Sequence, residues 1–188
     1  LDGPISYHTF AFADCVFDLK TCTLTDGKPE DFCMNHSKVY MRDNTFHMGH
    51  KDVKEVINFF KMLHKEEDLI WWRIDRYACC LEGGNRYKQL TINEGKKANN
   101  GKSTEEYLTK EAFGEYAGTA PTSLIVGTKR TEANGPTVAY KHIQGKRLIF
   151  IQEVVGRENL NAGVLKELSS GIDALPVRGP YERKMIEV

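Results

Sequence analysis

A chain of 188 residues with 40% hydrophobic composition can form one full core, or one domain and part of another, which excludes a small cross-linked scaffold. Its 26 basic and 26 acidic residues cancel, so the molecule as a whole carries no strong attraction for nucleic acid. No run of about 18 apolar residues occurs, and residues 1–14 lack the basic and apolar regions of a signal peptide, so a soluble intracellular protein is expected.

The neutral balance hides an asymmetry. Residues 1–83 hold ten Lys/Arg against fourteen Asp/Glu, and residues 84–188 hold sixteen against twelve, which assigns any phosphate-binding work to the second half. The five cysteines are odd in number and contain no CxxC pair, giving neither a disulfide framework nor zinc-ligand spacing. Cys22, Cys33, His36, His47 and His50 match no familiar ligand pattern either. The chain begins with Leu1 and ends on Met185-Ile186-Glu187-Val188, which reads as a strand with no closing element, so an internal piece of a longer polypeptide is expected.

In chain order, residues 8–19 alternate apolar with small or polar positions around a turn at Ala13-Asp14 and predict a short hairpin. Turn-rich sequence follows over 21–31. Val53, Val56, Ile57, Phe60 and Leu63 fall on one face at helical spacing, predicting a helix over 52–63. A second helix is predicted from Glu67 to about Leu81, stopped by Gly83-Gly84. Residues 87–92 read as a strand, followed by a Gly- and Asn-rich loop and a helix over 103–113. Residues 123–126 read as a further strand with a long loop behind it. Residues 148–151 form an apolar run, rich in β-formers, that predicts a buried parallel strand leading to Glu153. Residues 159–181 read as a polar, glycine-containing loop holding Asn161, Lys166, Asp173 and Arg178.

The chemistry concentrates at Asn99-Asn100-Gly101-Lys102-Ser103-Thr104. Backbone amides left unpaired at the first turn of a helix point into a concave nest where the helix dipole favours anions. In such a loop Gly101 permits close backbone approach, Lys102 reaches the β- and γ-phosphates of ATP, and the Ser103 hydroxyl ligates Mg²⁺. The usual GxxxxGK[ST] pattern wants a glycine at position 96, which is Lys96; the nearest is Gly95, so the loop is one residue longer than the pattern. A phosphate loop also needs a carboxylate delivered by a neighbouring strand, and Glu153 fits as the group that orients the attacking water and faces the metal.

Four segments then carry a family resemblance. Phe10-Ala11-Phe12-Ala13-Asp14-Cys15-Val16-Phe17-Asp18-Leu19, Asn100-Gly101-Lys102-Ser103-Thr104, Gly145-Lys146-Arg147-Leu148 through Glu153, and Leu160-Asn161 through Lys166 to Arg178 occur in the order seen in the poxvirus-type primase-helicases of large DNA viruses. In that family the motor belongs to helicase superfamily 3, and the chain resembles it over about residues 10–181. Two departures stand out: Ala13-Asp14 replaces the usual Asn-Asn or Asn-Gly, and Ile172 stands where a second glycine is usual. The resemblance implies an α/β fold with a P-loop AAA+-like core, its parallel sheet flanked by helices. A small β element and a mainly helical lead-in domain precede that core, giving a lead-in domain over 1–84 and a partial ATPase core over 85–188. It further implies ATP and Mg²⁺ as cofactors, single-stranded or forked DNA contacted by Lys166 and Arg178, a hexameric ring in the intact protein, no membrane, and action at sites of viral DNA replication. The sensor Asn and the arginine supplied to a neighbour are expected beyond Val188, so the piece alone is expected to bind nucleotide weakly and not to unwind DNA. The rival readings are another P-loop enzyme such as a nucleotide kinase, and a non-catalytic DNA-binding or assembly module.

Overall fold

The computed structural model describes residues 7–31, 33–42, 47–95, 100–127, 140, 142–152, 159–170, 176–177 and 186–187. The chain divides into two compact units, Leu1–Gly83 with Ile92–Gly114, and Gly84–Thr91 with Glu115–Val188.

The first unit opens with the expected hairpin. Strands β1 (Thr9–Ala11) and β2 (Val16–Asp18) pair antiparallel with Phe10 opposite Phe17, and the Phe12 amide donates to the Cys15 carbonyl at 2.8 Å across the turn. The turn-rich stretch behind it holds a third strand, β3 (Thr23–Thr25), which pairs with β2 to make a meander. β3 is exposed and lacks an apolar face, so its pairing with β2, rather than hydrophobic patterning, makes it a strand. Along the other edge of β1, Ser37 donates its amide to Ala11 at 2.8 Å and Ala13 donates to Val39 at 2.9 Å, so an extended segment covers what would be an open edge.

Helix α1 (Lys51–Leu63) starts where the Asp52 amide donates to His50 Nδ1, and helix α2 (Glu67–Cys79) follows after three residues. Helix α3 (Lys102–Phe113) returns the chain to the meander: Phe113 meets Phe10 edge-on at 5.8 Å between ring centroids. The buried Ser37 hydroxyl donates to the Ala112 carbonyl at 2.7 Å. The chain leaves α3 through Gly114, whose φ of +56° and close approach to His36 and Ser37 backbone leave no room for a side chain.

The second unit is a parallel pair, β4 (Ala117–Ala120) and β5 (Leu148–Ile151), with Ala117 opposite Leu148 and Ala120 opposite Ile151. β5 is parallel as expected, but half-buried rather than buried. Ala120, Leu124, Ile125 and Ile143 form its core, against which Leu165 and Leu168 of helix α4 (Ala162–Ser170) pack. Tyr116, fully buried, precedes β4, and the Arg147 guanidinium lies over its ring at 4.4 Å. Short strands β6 (Pro176–Val177) and β7 (Ile186–Glu187) pair antiparallel.

Three expectations are corrected. Residues 87–92 are not a strand. The Asn85 side chain accepts from the Gln89 amide and donates to its carbonyl, Lys88 takes a positive φ, and no described strand pairs with the exposed run that follows. Residues 123–126 are a 3-10 turn over Thr122–Leu124 and a single bridge from Val126 to Leu160. The polar loop of 159–181 contains α4, started by Asn161, whose Oδ1 accepts from the Val164 amide at 3.2 Å as a helix cap does.

Gly114→Ala tests the exit from α3. It should lower unfolding free energy by about 1–3 kcal/mol, the usual cost of a non-glycine residue forced into a sparsely populated backbone region. A urea midpoint unchanged from wild type would show that the turn can relax.

Candidate functional site

The turn at the head of α3 is built around Gly101, with φ +80° and ψ 0° in the left-handed region. The first hydrogen bond of the helix runs from the Glu105 amide to the Gly101 carbonyl at 2.9 Å. The amides of Lys102, Ser103 and Thr104 therefore lie within the first turn, and among the described residues no side chain caps α3. Ser103 and Thr104 are exposed and Lys102 is half-buried. Of the expected phosphate-loop residues, Asn100, Gly101, Lys102, Ser103 and Thr104 are contiguous at this helix start. Gly95 lies in exposed irregular chain, and Asn99 falls outside the described residues.

A second cause for the glycine lies beneath it. A Cβ on Gly101 would run into Leu63 Cδ2, at the end of α1. The close approach that residue 101 permits is thus at least partly to the protein's own apolar packing.

One turn further along, Glu105 is 5% exposed and Arg73 of α2 is 6% exposed. Glu105 Oε1 accepts from Arg73 Nε at 2.5 Å and from the Tyr77 hydroxyl at 2.8 Å, while the Arg73 guanidinium lies 5.1 Å from the Tyr77 ring centre. Burial, then the adjacent Glu105 charge and hydrogen bond, hold the Tyr77 hydroxyl well above its ordinary pKa and keep it a donor. Burial works against the Arg73 charge, yet its bond to Glu105 and the neighbouring charges outweigh that, holding its pKa above the usual value. Sequence reading passed over this cluster because a glutamate in the first turn of a helix ordinarily faces water. A signal was present: Ile70, Arg73 and Tyr77 share one face of α2 at helical spacing, and an arginine on a core-facing stripe demands a buried anion.

Three expected residues remain. Glu153 and Arg178 lie outside the described residues, while β5 and the exposed Gln152 that precede Glu153 are described. Lys166 is exposed on α4. In the segment that resembles the family signature, Asp14 accepts from the Met41 and Arg42 amides at 2.9 and 3.0 Å, and Asp18 from the Lys20 and Thr21 amides at 2.7 and 3.1 Å. These carboxylates fix turns, and the Met41 amide in particular lowers the Asp14 pKa.

No protein-family model matches the chain. Over 169 residues, 89% of its length, it is 31% identical to a protein of Invertebrate iridescent virus 6 that bears the name "Putative helicase 184R". The chain has a viral helicase-like relative. It spans 17% of that relative's length. The relation agrees with the viral helicase resemblance read from the motifs, and the small parallel sheet with its helices is compatible with a nucleotide-binding α/β fold. Among the described residues, no helix is long and apolar enough to cross a membrane.

Gly101→Ala should cost about 1–2 kcal/mol from left-handed strain alone. Adding Leu63→Ala should leave that strain in place while relieving the contact, which a double-mutant cycle in urea separates; a fully neutral Gly101→Ala would show that the turn accepts a side chain. For Asp14, whose folded pKa is depressed, the stabilisation is present above the ordinary carboxylate value of 3.8 and is lost as pH falls through the lower folded value. The stability gap between wild type and Asp14→Asn should accordingly narrow from pH 7 to pH 3, and a gap independent of pH would contradict this.

Proposed function

We propose that this chain is the nucleotide-gripping part of a viral replicative helicase, of the poxvirus-type primase-helicase kind with a superfamily 3 motor. Bound ATP with Mg²⁺ would supply the phosphoanhydride bond whose hydrolysis drives movement along DNA. In this reading the amides of Lys102 to Thr104 and the Lys102 ammonium hold the phosphates, and the Ser103 hydroxyl ligates Mg²⁺. Glu153 orients the attacking water, Lys166 and Arg178 contact the DNA backbone, and the parent protein works as a hexameric ring with sites completed between subunits.

The observation that carries the reading is the left-handed Gly101 directly ahead of α3, with Lys102 and Ser103 as its first two residues and, among the described residues, no side-chain cap on the helix. Such a start offers donors and a positive dipole end to an anion. The name borne by the iridescent-virus relative supports the same reading from outside the structure. One observation favours the rival in which the loop serves a non-catalytic DNA-binding or assembly module: the 87–92 run ahead of it forms no strand.

The test is titration of the 188-residue chain with MgATP, followed through the amide signals of residues 102–104, which registers weak binding. Lys102→Ala should weaken the affinity at least tenfold, as loss of a charge-assisted contact of about 1.5–3 kcal/mol requires, with the melting curve unchanged. Equal affinity in wild type and Lys102→Ala would remove Lys102 from the site. Turnover raised by single-stranded DNA separates the helicase from the nucleotide kinase reading.

A further inference from the structure

We propose that Glu105, braced by Arg73 and Tyr77, is a positioning residue for this phosphate site, so that packing of α1 and α2 sets the nucleotide affinity of Lys102 and Ser103. The proposal rests on the nucleotide-binding reading above.

Glu105 is attached in three directions. Its amide donates to the Gly101 carbonyl and closes the first turn of α3 at 2.9 Å. Its carboxylate is held by Arg73 Nε and the Tyr77 hydroxyl of α2, and its carbonyl accepts from Thr109 Oγ1 at 2.7 Å one turn on. Gly101, at the other end of the turn, is seated against Leu63 of α1. Lys102, Ser103 and Thr104 thus span a short arc fixed by α1 at one end and by α2 at the other.

The choice of a charged brace is informative. Two hydrophobic side chains of similar volume would commonly hold a helix at least as firmly as a buried ion pair, since the ions lose their hydration. What the pair adds is direction: a guanidinium and a hydroxyl converging on one carboxylate oxygen fix the rotation and height of α3, whereas apolar packing tolerates small slides. An anion site built from main-chain amides requires that directional precision.

The experiment compares the 188-residue chain with Glu105→Gln, Tyr77→Phe, Arg73→Met/Glu105→Leu and Lys102→Ala, using MgATP as the probe at a temperature well below every melting midpoint. Glu105→Gln and the apolar double variant should bind MgATP about tenfold more weakly, the low end of what losing an orienting partner costs elsewhere. The double variant should keep a melting midpoint near that of wild type. Tyr77→Phe, the mildest change, should lose affinity in the same direction and keeps the test available if Glu105→Gln does not fold. Wild-type affinity in the folded brace variants, with Lys102→Ala weakened, overturns this proposal alone and leaves the nucleotide reading standing. Absence of MgATP binding by wild type, or binding unaffected by Lys102→Ala, overturns both.

Discussion

The constraint on which the first unit depends is the hydration that Arg73 and Glu105 give up. An uncompensated charge in a protein interior costs several kcal/mol, so each of these residues is tolerable only while the other is in place. α2 and α3 are consequently bound to one relative position: a shift that parts the ions strands two buried charges, and a shift that removes Tyr77 leaves a carboxylate short of a donor. The thin hydrophobic contact elsewhere in these helices makes the polar joint more prominent. Phe60 is the single buried residue of α1, and Ile70 and Arg73 are those of α2.

The second unit follows a different logic. Its parallel pair is short, and its core is assembled from chain on either side: the 3-10 turn after β4, the turn ahead of β5, and the inner face of α4. Asn161 serves that assembly twice, donating its amide to Ile125 and capping α4 with its side chain. A residue expected as one polar group of a loop thereby acquires a concrete structural duty.

What the sequence made legible was whatever rested on local periodicity. α1, α2 and α3 fall within two residues of their expected ends because amphipathic spacing and glycine stops are properties of the segment itself. The β1–β2 hairpin and the β5 strand were legible for the same reason. Elements defined by a distant partner were not. Ala117-Gly118-Thr119-Ala120 has no apolar run and becomes β4 through its ladder with β5, where Gly118 lets the Lys146 side chain lie close against the backbone. The 87–92 run has the composition of a strand, yet no described strand pairs with it, and the Asn85 side chain bends the chain ahead of it. The site divides in the same way: the Gly101-Lys102-Ser103 start of α3 was readable residue by residue, whereas Leu63 beneath it and Arg73 behind it required the fold.

The far end of α3 carries a mechanical implication. Phe113 is wedged on Phe10, Ala112 is hydrogen-bonded by Ser37, and Gly114 turns the chain tightly against residues 36–38. The helix is thus seated at its tail as well as at its head, like a strut held at both ends. Twelve residues at about 1.5 Å each give a rod of about 18 Å between the two seats. A strut held at both ends resists tilt, so the aromatic contact at Phe10 and the ion pair at Arg73 bear on one and the same rigid element.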